Sequence, residues 1–121
     1  MRLAICGCSP GETRYLCKCI QQYCARTGCS AEIFPIYDME QFWQGFGPGR
    51  YHGVLMGLGD TAGFLAARRI REQDAGCRLV VMDDTPRYAI QYLRIHAADF
   101  LLRPAAEDSL HRSFRRLMGM N

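Results

Sequence analysis

Two kinds of apolar pattern alternate along the chain. Short apolar runs bounded by turn residues occur at Leu3–Cys6, Ala31–Tyr37, Tyr51–Gly57, Arg78–Asp83 and Asp99–Leu102. Such runs are the mark of strands buried on both faces of a parallel sheet. Between them, apolar residues recur at three- and four-residue spacing. Leu16, Cys19, Ile20 and Tyr23 predict a helix over 11–27, started by Ser9 and Pro10 and stopped by Gly28. Asp38 caps a short helix through Phe46, with Phe42 inward and Trp43 beside it. Phe64, Leu65 and Ile70 form the inner face of a helix over 64–73. The Asp84–Pro86 turn starts a helix running to about His96, and Glu107 and Asp108 open a last one that buries Leu110, Phe114 and Leu117.

Strands alternating with helices through short connections predict a doubly wound α/β domain, with one domain spanning 1–121. The flavodoxin-like order 2-1-3-4-5 fits best, and Pro35, which lacks a backbone donor, suits the second strand to an edge. In such a sheet, chemistry sits beyond the carboxyl ends of the strands, where the first and third lie side by side. The third strand ends at Gly57, followed by Gly59, and neither carries a side chain. With Gly7, these glycines predict a bare crevice with room for a small ligand.

Hydrophobic content of 49% and charged content of 22% are ordinary for a globular domain. No apolar run approaches the ~20 residues that span a bilayer, so no membrane role is expected. The apolar stretch in MRLAICG stops at Gly7 and reads as a first strand rather than a signal peptide, which makes the cytoplasm the expected location. Arginine supplies 14 of the 15 basic residues behind the net charge of +3. Its clusters at Arg68, Arg69, Arg71 and at Arg112, Arg115, Arg116 lack any nucleic-acid-binding motif and read as solvated helix faces. Seven cysteines without a C-x-x-C pair read as small buried hydrophobes in a reducing compartment, with Cys6 and Cys19 inward and Cys17 outward. His52, His96 and His111 are too scattered to suggest a site.

The segments RLAICGCSP (2–10), GRYHGVLMG (49–57), AARRIRE (66–72), RLVVMDDTPRYAI (78–90) and HAADFLLRP (96–104) resemble a response-regulator receiver (CheY-like) domain over nearly the whole chain. The resemblance is closest to the receivers of LytTR-type transcriptional regulators. It implies a phosphoacceptor aspartate after the third strand and two acidic metal ligands after the first. A hydroxyl after the fourth strand and a lysine after the fifth would contact the phosphoryl group. Carried onto this chain, the acidic pair falls on Gly7 and Cys8 and the acceptor on Gly57, with Leu55 as the shifted alternative. The hydroxyl position falls on Asp83 (or, two residues on, Thr85), the lysine on Arg103 and the switch aromatic on Phe100. The resemblance therefore implies a receiver scaffold without phosphorylation chemistry, with no magnesium site and no other cofactor. Asp83 or Asp84 should lie within reach of Arg103, and an Asp83–Arg103 ion pair is expected where a phosphoryl group would sit.

The positive expectation is an interaction module and not an enzyme. Receivers pair through the face of helix four, strand five and helix five, which here places Tyr88, Tyr92, Ile95, Asp99, Arg112 and Arg115 at a homodimer or partner contact. DNA binding would belong to a C-terminal domain beyond residue 121. An alternative from a different class is a cysteine-dependent phosphatase or arsenate reductase, because Cys8–Arg14 spells a C-x5-R loop after the first strand.

Overall fold

The computed structural model describes residues 1–119. Its elements, in chain order, are β1 (Arg2–Cys6), α1 (Pro10–Thr27), β2 (Glu32–Ile36), α2 (Met39–Gly45), β3 (Gly53–Met56), α3 (Asp60–Gln73), β4 (Arg78–Asp83), α4 (Ala89–Arg94), β5 (Asp99–Leu102) and α5 (Glu107–Leu117). The strands form one parallel sheet in the order β2-β1-β3-β4-β5. This is the expected doubly wound order, with Pro35 on the edge strand.

The pleat divides the core. Leu3, Ile5, Leu55, Val80, Met82 and Leu101 face α1 and α5, where they meet Leu16, Ile20, Leu110 and Phe114. Ala4, Cys6, Val54, Met56, Leu79 and Val81 face the other way, against Phe42, Ala66, Ala67, Ile70 and Tyr92. Side chains of successive strand residues point to opposite faces, so this partition fixes where each strand's next residue must point.

The helix ends follow local chemistry. The Ser9 hydroxyl accepts from the Glu12 N–H at 3.1 Å, Pro10 opens α1, and Gly28 closes it at φ 76°. α3 starts at Asp60, four residues before the expected Phe64. Its inner face is therefore Gly63, Ala66, Ala67 and Ile70, while Leu65 points outward. Small inward residues let this helix lie close to the sheet. α4 is shorter than expected, because the Asp84–Tyr88 stretch forms bends and turns and helix begins only at Ala89. Cys17 and Cys19 are both half-buried, against expectations of outward and inward.

One arginine fastens the α3–β4 connection to the α4–β5 connection. Arg71 donates to the carbonyls of Cys77 (2.6 Å), Ala75 (2.9 Å), Asp74 (3.2 Å), Ile95 (2.8 Å) and His96 (3.1 Å). His52 lies at the opposite end of the sheet from the crevice, as expected, and its Nδ1 accepts from the Arg2 N–H. No described helix is long and apolar enough to cross a membrane.

Candidate functional site

The crevice lies beyond the carboxyl ends of β1, β3, β4 and β5, and it is filled rather than bare. Gly7 turns at φ 78° directly against the β3–α3 loop. A Cβ there would stand 2.5 Å from the Leu58 nitrogen and 2.8 Å from its Cα, so only glycine fits. Gly57 is enclosed in the same way. A Cβ on it would overlap the Cys8 sulfur and lie 2.7 Å from Arg103 Nη2. The room expected for a small ligand is taken by the chain's own side chains.

Arg103 is the largest of these. Its Nε and Nη2 donate to Glu12 Oε2 and Oε1, both at 2.8 Å, and Nη2 also donates to the Gly57 carbonyl at 2.6 Å. The fork is bidentate, and both side chains are more than three-quarters buried, so the pair is shielded from solvent. Asp84 stands at the solvent edge, 3.5 Å from Nη1. The Arg103 hydrogen bonds hold the Glu12 carboxyl below the usual glutamate range, and Glu12 in turn pushes the guanidinium further up. Burial, followed by the Glu12 carboxylate, pushes the Cys8 thiol up to about 12, against the pull of Arg103.

The expected Asp83–Arg103 ion pair does not form. The pleat sends Asp83 to the α3 side with Leu79 and Val81, whereas Arg103 follows Leu101 to the α1 side. Asp83 is 2% exposed and accepts from three backbone N–H groups: Asp60 at 2.8 Å, Asp84 at 2.7 Å and Thr85 at 3.3 Å. Gly59, the residue before α3, supplies no side-chain cap, so the Asp83 carboxylate from β4 caps α3 across the crevice. A Cβ on Gly59 would stand 3.2 Å from Asp83 Oδ1, so this approach too depends on glycine, which turns at φ 74°.

The switch-aromatic position, Phe100, is half-buried and stacks on Tyr92, with centroids 5.7 Å apart. Tyr92 corrects the interaction-face expectation, because it is 1% exposed and belongs to the core. Its hydroxyl has no hydrogen-bond partner among the described residues, and burial pushes its pKa well up. Asp99 is likewise turned inward, held by Arg112 (2.9 Å), Ser113 (2.6 Å) and Arg116 (3.2 Å). Burial favours its neutral form, but the bonds from Arg112, Ser113 and the Phe100 N–H outweigh that and leave its pKa below the ordinary value. Tyr88 is half-buried, stacked on Phe64 at 5.3 Å, and its hydroxyl lies 2.6 Å from that of Thr61. Ile95 is half-buried, while Arg112 and Arg115 are exposed. The large exposed apolar residues on this side are Ile90, Leu93 and Leu102, at 63%, 72% and 47%. The i, i+3 spacing of Ile90 and Leu93, opposite Tyr92, is the signal that marks them.

The C-x5-R reading finds no loop. Pro10–Arg14 is the first turn of α1, Arg14 is exposed, and the buried Cys8 thiol stays protonated at neutral pH. The positions for a divalent cation do not fit one either. Gly7 has no side-chain ligand, Cys8 is a protonated soft ligand, and no group of three His, Cys, Asp or Glu among the described residues is arranged to hold a metal.

The same architecture recurs in solved structures. The response regulatory domain of protein mrkE from Klebsiella pneumoniae superposes with a TM-score of 0.77 at 17% identity, covering 98% of this chain and 96% of that one. A response regulator receiver protein from Pseudoalteromonas atlantica gives 0.79 at 15% identity, covering 98% of both chains. The fold is that of a receiver domain. HP1043, an orphan response regulator of H. pylori, gives 0.67 at 17% identity, covering 97% of this chain and 96% of that one. No protein-family model and no curated protein matches the sequence.

Proposed function

We propose that this chain works as a signal-receiver module of the two-component type, independent of phosphorylation and acting through protein–protein contact. The observation that carries the proposal is Gly57, which stands at the end of β3 without a carboxylate, hemmed in by Cys8 and Arg103. Phosphoryl transfer needs a nucleophile, a charge-neutralising cation and space for the transferred group. Near Gly57 the Glu12 carboxylate is engaged by Arg103, no group among the described residues is arranged to hold a metal ion, and Cys8 and Arg103 take up the space. Asp83 and the Arg103–Glu12 pair instead tie β4, β5, α1 and α3 to one another with fixed charges.

The output surface in this reading is the outer side of α4 and β5. Ile90, Leu93 and Leu102 are exposed there, with Arg94 exposed on α4 and Arg112 and Arg116 of α5 paired to Asp99 of β5. An apolar centre with an arginine rim has the composition of an interface, and a second copy of the chain is the proposed occupant. The LytTR-type resemblance extends the reading to transcriptional control, exercised through a DNA-binding domain outside residues 1–121.

The deciding experiment is intact-mass spectrometry after incubation with acetyl phosphate and magnesium, beside a phosphorylatable receiver. The expected spectrum is unchanged. A stoichiometric adduct on Asp60, Asp83, Asp84 or Cys8 overturns the proposal, the acidic sites pointing to a relocated acceptor and Cys8 to thiol chemistry. For the surface, Leu93→Glu should abolish any concentration-dependent self-association seen by light scattering. A wild-type chain that stays monomeric at all concentrations removes the second-copy assignment.

A further inference from the structure

At the end of the molecule away from the crevice, α1 closes in a way that brings two thiols together. Cys24 lies in the last turns of α1 and Cys29 one residue past Gly28, whose φ of 76° folds the chain back over the helix end. The Gly28 N–H donates to the Cys24 carbonyl at 2.9 Å, which fixes this fold-back. As a result the Cys29 sulfur lies 3.0 Å from the Cys24 sulfur, about 1 Å beyond a disulfide bond length. The Thr27 hydroxyl donates to the Tyr23 carbonyl at 2.8 Å and lies 3.2 Å from the Cys29 sulfur. Cys29 is half-buried and within reach of solvent, whereas Cys24 is 8% exposed beneath it. The outer sulfur is open to a reagent, and the inner one is already in place to answer.

We propose that Cys24 and Cys29 form a reversible redox pair that closes to an intramolecular disulfide when the protein meets a hydroperoxide. The Cys29 thiolate attacks the outer peroxide oxygen, breaking the O–O bond and leaving a sulfenic acid, with the departing oxygen taken up as water or an alcohol. The Cys24 sulfur then attacks the Cys29 sulfur, loses its proton and expels hydroxide, which leaves as water. Two thiols and one peroxide become one disulfide, one water and one further water or alcohol. Two thiols of an added reductant, such as dithiothreitol, reverse the change. Cys17 and Cys19 are also half-buried on α1, so selectivity for the Cys24–Cys29 pair, with its 3.0 Å sulfur separation, is part of the proposal.

The chain has a cleavage site suited to the test, because Arg26 lies between the two cysteines. The folded protein is treated with hydrogen peroxide, its remaining thiols are alkylated, and it is digested with trypsin. The expected product is the peptide ending at Arg26 linked to the one beginning at Thr27, with fragmentation placing the bond on Cys24 rather than Cys19. The link should vanish with dithiothreitol and be absent in Cys29→Ser, while Cys17→Ser and Cys19→Ser should retain it. Cys24→Ser should divert the Cys29 sulfenic acid to a trapping reagent such as dimedone, an outcome that does not depend on the disulfide itself. Four results overturn the proposal: no linked pair, linkage through Cys17 or Cys19 at equal yield, a bond that resists reductant in the folded protein, or no dimedone adduct in Cys24→Ser.

Discussion

Gly57→Ala isolates the packing that closes the crevice. The backbone at Gly57 does not adopt the positive φ that penalises other residues, so the substitution itself adds no backbone strain. Alanine should even lower the entropy of the unfolded chain, a gain of ~0.4–1 kcal/mol. Against this stands the new methyl, which overlaps the Cys8 sulfur and lies 2.7 Å from Arg103 Nη2. Relief by turning Cys8 off its rotamer costs ~0.5–1.5 kcal/mol. Because the methyl meets both groups, Arg103 must move as well, which breaks its 2.6 Å bond to the Gly57 carbonyl, a loss of ~1.5–3 kcal/mol for a charged donor. The two costs less the entropic gain leave a destabilisation of ~1–4 kcal/mol, at or above the ordinary range for overpacking. For a domain of this size that corresponds to a melting temperature lower by roughly 4–16 °C. Urea denaturation of wild type, Gly57→Ala, Cys8→Ala and the double variant forms a complete cycle. Because Cys8 and Gly57 are in contact, Cys8→Ala should relieve part of the Gly57→Ala cost, giving a coupling of ~0.5–3 kcal/mol. If Gly57→Ala is as stable as wild type, or the two changes simply add, the crevice is not packed as described.

Two further substitutions test the fixed charges. The folded-state pKa of Glu12 is depressed by Arg103, so its contribution is fully present above the unfolded value of about 4.3 and is lost as pH falls through the lower folded value. The stability gap between wild type and Glu12→Gln should therefore hold steady at neutral pH and narrow below about pH 4.3, as read from melts across that range; a pH-independent gap contradicts the pair. Asp83→Ala leaves the N–H groups of Asp60, Asp84 and Thr85 without their acceptor and should cost ~2–4 kcal/mol. It should also speed hydrogen exchange at the start of α3, and unchanged exchange there refutes the cap.

The architecture was legible because it depends on local pattern. Apolar runs, Ser9–Pro10, Gly28 and Pro35 each act within a few residues of themselves, and the strand order follows from their alternation. At the candidate site the residue types at the strand ends were legible, but their pairings were not. Arg103 finds Glu12 from 91 residues away, a pairing that no local pattern encodes. Asp83 was within reach of sequence reasoning, since it shares strand parity with the buried Leu79 and Val81, while Arg103 shares it with Leu101 on the opposite face. Tyr92 was misplaced because α4 spans six residues, too short for its periodicity to separate an inner tyrosine from the outer Ile90 and Leu93. The start of α3 was missed because Gly59 supplies no side-chain cap of its own and the capping group comes from β4.

The carboxylate that caps α3 is part of the chain, and this changes what can act as an input. A dissociable group at the same amide would be governed by its concentration and by whatever adds or removes it. A side chain 23 residues away in sequence, folded against the Asp60 N–H at 2.8 Å, is present at an effective concentration that no added solute changes. Occupancy is then constant in every folded molecule, and the start of α3 stays capped whatever anion the surrounding solution holds.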